Sequence, residues 1–396
     1  MNKNNNLIKS LFIFFLSCIF SLFLFELAYF YYNKLDSHKS VTCHEYEWIL
    51  YGYCPEIKHT RQNSNHDGGK QIISYTDKIG GRIRSFNTKE INQWENAKII
   101  FIGDSFIQAD EVSYADTFYG IIENDKKSYA IGHSSWNPIQ YLDVIKKINT
   151  KDTKYHVFLF INDFIKNDNR SVYGEYLEGK TPIYKYYLRP LATYKALANF
   201  KYVLFKYKQQ ISEILITQNE IGTNLIDFSK FNINYSSDCN SLSNYYLNKS
   251  ISLLAFDYLA FSKEKKCWNK EQLESVNMGV NIIKDLVSYV NNSLNSKIDI
   301  YLIPAGWSFK NQNSIGRETK TFKFPKEVKI TSNGLYKYLK NTLENTNIID
   351  LEDLIQKDID QCNKTEQCRD QYYFALDGHW TSKTHKLIAN YILKNN

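Results

Sequence analysis

The sequence predicts an α/β domain built on a parallel central sheet, with a helical insertion and one N-terminal transmembrane helix. Three observations predict it. Short runs rich in β-branched residues stop at Gly, Asp or Asn turns, as at residues 98–106 and 157–163. Segments with helical spacing lie between them, the alternation of βαβ units. An apolar run at residues 7–32 is long enough to span a bilayer. With 396 residues and 43% hydrophobic content, the chain can form one large domain with a full core.

The N-terminal run is broken late, at Glu26, which needs a place near the interface or a partner. Lys3 and Lys9 precede its apolar core. The positive-inside rule therefore puts residues 1–6 in the cytoplasm and the domain on the extracytoplasmic, periplasmic side of the cell membrane. Tyr29, Phe30, Tyr31 and Tyr32 suit the aromatic belt of the far interface. A cleaved signal peptide would want small residues at the end of the run. A lipid anchor at Cys18 would end the run there. An uncleaved single-pass anchor fits better than either.

Residues 33–96 read as a linker and lead-in, polar with aromatic islands and a turn over residues 75–82. Residues 97–103 are the first strand, and residues 113–123 a helix with Tyr114, Phe118, Ile121 and Ile122 on one face. A second short strand at 128–131 ends in a turn from Gly132 through Ser134, Ser135 and Trp136 to Pro138. A helix follows with Tyr141, Leu142, Ile145 and Ile148 inward. Residues 157–161 form a third strand that stops at Asn162-Asp163. Residues 167–296 are long, Tyr-rich and mainly helical, and read as an insertion. Residues 298–304 and 348–351 resume the sheet. The chain closes with Asp377-Gly378-His379-Trp380 and a helix over 381–393, so that the domain runs from 97 to 396.

The cysteines agree with the expected topology. Cys43, Cys54, Cys239, Cys267, Cys362 and Cys368 form an even set on the outer side, where an oxidising compartment favours disulfides. Pairing between neighbours, 43–54, 239–267 and 362–368, is the simplest arrangement; free buried thiols are the alternative. No zinc spacing occurs, and His38, His44, His59 and His66 are scattered, so no metal or other cofactor is expected. The net charge of +7 is spread without a dense basic block, which argues against nucleic acid as a partner.

Ser105, the Ser134-Ser135 pair, Asn162, and Asp377 with His379 all fall at the end of a strand or just before a helix. In an open parallel sheet such positions converge on one crevice. A hydroxyl, an amide, an imidazole and a carboxylate are the inventory for acyl transfer through a covalent intermediate. The imidazole takes the serine proton and returns it to the leaving alcohol, while amide and turn N–H groups stabilise the oxyanion.

Gly103-Asp104-Ser105-Phe106, Asn162-Asp163 and Asp377-Gly378-His379, in this order over roughly residues 97–394, resemble the blocks of the SGNH hydrolase superfamily of GDSL-like esterases and acyltransferases. The resemblance implies a three-layer α/β/α fold with Ser105 as nucleophile, His379 as base and Asp377 as its orienting carboxylate. It implies an oxyanion hole made by the N–H of Ser105, the N–H of Ser135 (or Gly132) and the side chain of Asn162. Residues 77–82 also look like the lead-in of membrane-anchored members. Two positions depart from the pattern: Ser135 and Phe160 each stand where the family usually has glycine. One residue separates Asp377 from His379, as in proteins similar to the alginate-acetylation group. That spacing directs the expectation to O-acyl, above all O-acetyl, groups of cell-envelope glycans.

Each motif alone has an ordinary structural explanation, as a turn, a helix cap or a surface histidine. His385, inside the terminal helix, is a rival base better suited to packing. Tyr184, Tyr186, Tyr187 and Trp307 are sugar-stacking candidates or core aromatics. A disulfide between Cys362 and Cys368 would stiffen the acid–base turn. Transfer of the acyl group to water makes an esterase. Transfer to a sugar hydroxyl makes an O-acetyltransferase of an exported polysaccharide, which with a single span needs a multi-span partner to supply the acyl donor. A non-catalytic glycan-binding or assembly factor on the same scaffold is the alternative of a different class.

Overall fold

In the computed structural model, the described residues are 13–17, 20–26, 41–46, 49–86, 93–164, 239, 258–309, 330–361, 371–375 and 377–395. In chain order their strands are β1 (Thr42–Tyr46), β2 (Ile49–Tyr53), β3 (Lys58–Gln62), β4 (Gln71–Thr76), β5 (Arg82–Ile83), β6 (Ile99–Gly103), β7 (Ser128–Gly132), β8 (Lys154–Phe160), β9 (Lys297–Ile303) and β10 (Asn347–Asp350). Every residue of β6 and β7 is buried, as is all of β8 after Lys154. Apolar runs of this kind belong to parallel strands covered on both faces. β6 to β10 are parallel neighbours in the order β7-β6-β8-β9-β10. The strand order reverses between β6 and β8, which leaves a crevice beyond their carboxyl ends.

The lead-in is more structured than its sequence suggests. β5 pairs antiparallel with β7, and β4 and β3 continue the sheet outward, so residues expected as a linker supply three of its eight strands. β3 reads Lys-His-Thr-Arg-Gln and is stabilised by pairing with β4 rather than by apolar burial. β1 and β2 form a separate antiparallel hairpin, closed by the expected Cys43–Cys54 disulfide.

The helices are α1 (Ser105–Gln108), α2 (Phe118–Ile122), α3 (Pro138–Ile148), α4 (Lys270–Ser288), α5 (Asn333–Thr342), α6 (Leu351–Gln361) and α7 (Ser382–Asn395). α3 begins with Pro138 in its first turn and a reciprocal Asn137–Gln140 cap; Asn269 and Gln272 cap α4 in the same way. The helix expected over residues 113–123 is divided. A single 3-10 turn at Tyr114–Asp116 precedes Thr117, whose side chain accepts from Gly120 N and starts α2. α4 falls at the end of the stretch expected as an insertion. α4 buries Val276, Val280, Ile283 and Leu286 and packs against α3 as part of the core. The Cys239–Cys267 disulfide is formed as expected. Cys362, Cys368, Tyr184, Tyr186, Tyr187 and the side chain of Trp307 lie outside the described residues.

The chain divides into two compact units: Met1–Ser40 with Val172–Asn224, and Val41–Ser171 with Leu225–Asn396. The sheet and the elements named above belong to the second. In the first, the described residues are helical at 13–17 and 20–26, with outward apolar side chains such as Phe14 and Phe23. Among the described residues no helix is long and apolar enough to cross a membrane. The remainder of the expected span, at 7–12, 18–19 and 27–32, lies outside them.

Gly103 and Gly132 face each other in register at the ends of β6 and β7. A Cβ on Gly132 would lie 2.7 Å from the Asp104 carbonyl oxygen and 2.8 Å from Ile107 Cβ. Gly132→Ala is therefore expected to lower stability by about 1–3 kcal/mol, the usual cost of overpacking a core. Chemical denaturation followed by circular dichroism measures it.

Candidate active site

The turn after β6 carries the first block. The Asp104 side chain accepts from Phe106 N at 3.0 Å and caps α1, a single helical turn headed by Ser105. α1 stops at Ala109, whose φ of 50° is left-handed. Ser105 is half-buried, whereas its neighbours Asp104 and Phe106 are buried. The turn after β7 lies alongside: Ser134 N donates to Gln108 Oε1 at 2.6 Å, which ties that turn to α1. Ser135 is exposed and has a φ of 65°. This serine holds the left-handed conformation that glycine takes without strain.

Asn162 follows β8 in a short 3-10 turn, Ile161–Phe164. Tyr258 OH donates to Asn162 Oδ1, so the amide's N–H₂ points away from Tyr258. Asp163 is buried and holds the turn: its Oδ2 accepts from Phe160 N and from Tyr141 OH, each at 3.0 Å. The last block sits at the tip of a tight reversal. Tyr373 bridges Trp380, Phe374 N donates to the His379 carbonyl at 2.8 Å, and Gly378 N donates to the Phe374 carbonyl at 3.0 Å. Gly378, with φ 85°, makes the reversal possible.

Phe106 joins the blocks. Its ring centroid lies 4.9 Å from that of His379, 4.9 Å from Trp380 and 5.0 Å from Phe160. The residue after Ser105 thus touches both the imidazole and the strand that leads to Asn162. Ser105, His379 and the Asn162 turn are brought to one edge of the sheet, at the switch between β6 and β8. His385 is elsewhere in role: it is buried, stacks on Phe118 and faces Phe118 N through Nδ1 at 3.3 Å. Burial, with the charges of Arg82 and His379, pushes it down to about 3, so it stays neutral and packs.

A cluster of charges surrounds His379. Its Nδ1 hydrogen-bonds Asp377 Oδ1 and lies 3.5 Å from Glu111 Oε1. Arg61, from β3, reaches both carboxylates, at 2.7 Å from Glu111 Oε1 and 2.5 Å from Asp377 Oδ2. A carboxylate only accepts, so Nδ1 is the protonated nitrogen. Burial disfavours the charged imidazole. The charges of Glu111 and Asp377, the hydrogen bond to Asp377 and the charge of Asp104 outweigh it and raise His379 to about 10. Asp377 is lowered: burial opposes this, but the His379 hydrogen bond and charge, with Arg61, prevail. Glu111 is raised by its burial and by Asp377, against the pull of His379 and Arg61.

Glu111 and Arg61 have no counterpart in the sequence reading. Glu111 sits in the loop after α1, and buried Arg82 pins that loop by donating to the carbonyls of Gln108 at 3.0 Å and Val112 at 2.6 Å. Beside it, Asp110 accepts from Gln108 Nε2 at 2.7 Å and Ser74 Oγ at 3.2 Å, and lies 3.1 Å from His59 Nε2. Glu111, Asp377 and His379 offer ligand atoms within 4.8 Å of one another, a spacing open to a metal ion. The Arg61 guanidinium already lies between the two carboxylates and supplies the positive charge there.

No protein-family model matches the chain, and no curated protein does. A similar solved structure is a member of the lipolytic protein G-D-S-L family from Veillonella parvula DSM 2008. It is 10% identical, with a TM-score of 0.32, and the match covers 75% of this chain and 96% of that one. A likeness of that degree adds nothing to what the geometry itself carries.

The φ of Ser135 also sets an outcome. A β-branched residue is strained in the left-handed region, so Ser135→Val is expected to destabilise the domain by about 1–2 kcal/mol, with Ser135→Gly at least as stable as Ser135→Val by that margin. Thermal denaturation of the two variants side by side measures the difference.

Proposed function

We propose that the chain is a serine-dependent ester hydrolase of the SGNH type, with a three-layer α/β/α domain. One observation carries the reading: the turn bearing Ser105 is packed through Phe106 against His379, whose Nδ1 is held by Asp377. That bond leaves Nε2 as the nitrogen for the serine proton. Ser105 attacks the ester carbonyl and gives its proton to His379. The tetrahedral oxyanion is met by the N–H groups of Ser105 and Ser135 and by the Asn162 amide. His379 then protonates the leaving alcohol, and water releases the acyl group from Ser105 by the same route. Among the described residues no hydrogen bond joins the Ser105 hydroxyl to His379; such bonds tighten when substrate excludes water.

The substrate we propose is an O-acyl, in particular O-acetyl, group on a cell-envelope glycan, reached by a domain anchored through residues 7–32 on the periplasmic face. One feature supports the extracytoplasmic placement. The Cys43–Cys54 and Cys239–Cys267 disulfides suit an oxidising compartment. Cavities of about 200 Å³ and 490 Å³ adjoin Glu111, with a mixed lining that includes Asn63, Ile72, Phe374 and Lys383.

The test is p-nitrophenyl acetate hydrolysis by the full-length chain. Ser105→Ala is expected to remove turnover, and Asn162→Ala to cost about 10²–10³ in kcat, the loss of one oxyanion donor. Release that instead requires an added glycan acceptor, with acyl-glycan formed, identifies a transferase. Hydrolysis indifferent to Ser105 contradicts the reading. The pH dependence has a definite sign. His379 must be neutral to accept a proton and is held charged up to about pH 10. kcat/KM is expected to rise about tenfold per pH unit from pH 7 and to level near pH 10. A plateau already reached at pH 7 contradicts it.

A further inference from the structure

We propose that Glu111 is a positioning residue for His379: with Asp377 it forms a two-carboxylate clamp on Nδ1, and Arg61 bridges the two carboxylates. The inference rests on the hydrolase reading only for its kinetic consequence; the clamp itself rests on geometry.

Glu111 Oε1 is 3.5 Å from Nδ1 on the side of the ring already bonded to Asp377. Glu111 is only 4% exposed, so its charge is weakly screened. A buried and a half-buried carboxylate this close repel each other, and one arginine answers both. Because both carboxylates face Nδ1, they favour the tautomer with the proton there and leave Nε2 as the accepting nitrogen. The charged groups around the imidazole are Asp377 on its own turn, Glu111 after α1, Asp104 at the head of α1 and Arg61 on β3; neutral His385 stacks on Phe118, and buried Arg82 donates to the carbonyls of Gln108 and Val112.

The clamp has a cost and a use. It makes His379 a strong base that is mostly charged at neutral pH, and so directs the activity to alkaline conditions or to a site whose carboxylates are neutralised. Removing the Glu111 charge lowers the affinity of His379 for its proton, by about 1–3 pH units for a carboxylate at this distance. The neutral fraction at pH 7 then rises about 10- to 1000-fold. A purely structural residue does not act in this way; its loss lowers the rate at every pH.

The experiment is an NMR titration of ring-labelled histidine in the full-length chain, with the His379 signal assigned by its absence in His379→Asn. In the wild type the midpoint is expected near pH 10. Glu111→Gln is expected to lower it by about 1–3 units, and Glu111→Asp, which keeps the charge but withdraws it by one methylene, by less. The acid limb of kcat/KM for p-nitrophenyl acetate is expected to move by the same amount, with a higher rate at pH 7. Should Glu111→Gln not fold, Glu111→Asp carries the test. A wild-type midpoint in either folded variant overturns the proposal. A shifted midpoint with no Ser105-dependent hydrolysis keeps the clamp and removes the hydrolase reading.

Discussion

The structure turns on a problem of buried charge. Glu111 and Asp104 are buried, Asp377 is partly so, and all three act on one imidazole. Carboxylates taken out of water are tolerated only with counter-charge and hydrogen bonds in place. Much of the surrounding architecture supplies these. β3 joins the sheet at its antiparallel end and delivers Arg61. Arg82, buried at the start of β5, donates to the carbonyls around Ala109 and holds the loop that presents Glu111. The lead-in strands are therefore part of the site and not a tether to it.

A second constraint is steric. The turns after β6 and β7 meet with glycine facing glycine, where no Cβ fits. Ser134 N on Gln108 locks the second turn to α1. Phe106 then fills the space between Phe160, His379 and Trp380. Ser105 is thereby placed by packing on both sides, and catalysis of the proposed kind needs such rigidity.

The parallel strands and the terminal helix were legible because buried β-branched runs and helical spacing are strong local signals. Ser105, Asn162, Asp377 and His379 were legible as motifs at strand ends. Arg61 was not, since it lies in a polar edge strand whose stability comes from pairing with β4. Glu111 follows a left-handed alanine in an irregular loop, and no pattern marks it. Tyr258, which orients Asn162, falls in a stretch that read as insertion. In each case a long-range contact, between partners 50 to 316 positions apart, made the residue matter. Arg61 and Glu111 stand 50 positions apart, Arg61 and Asp377 316. Local sequence carries no trace of such contacts.

The most direct measurement of the central claim, a nucleophilic serine served by His379, is covalent labelling. The full-length chain would be treated with a fluorophosphonate, and the adduct located by peptide mass spectrometry. The account predicts a single adduct on Ser105, formed faster as the pH rises toward 10 and greatly slowed in His379→Asn. A folded chain that takes no label at Ser105, or takes it at the same rate without His379, would contradict it.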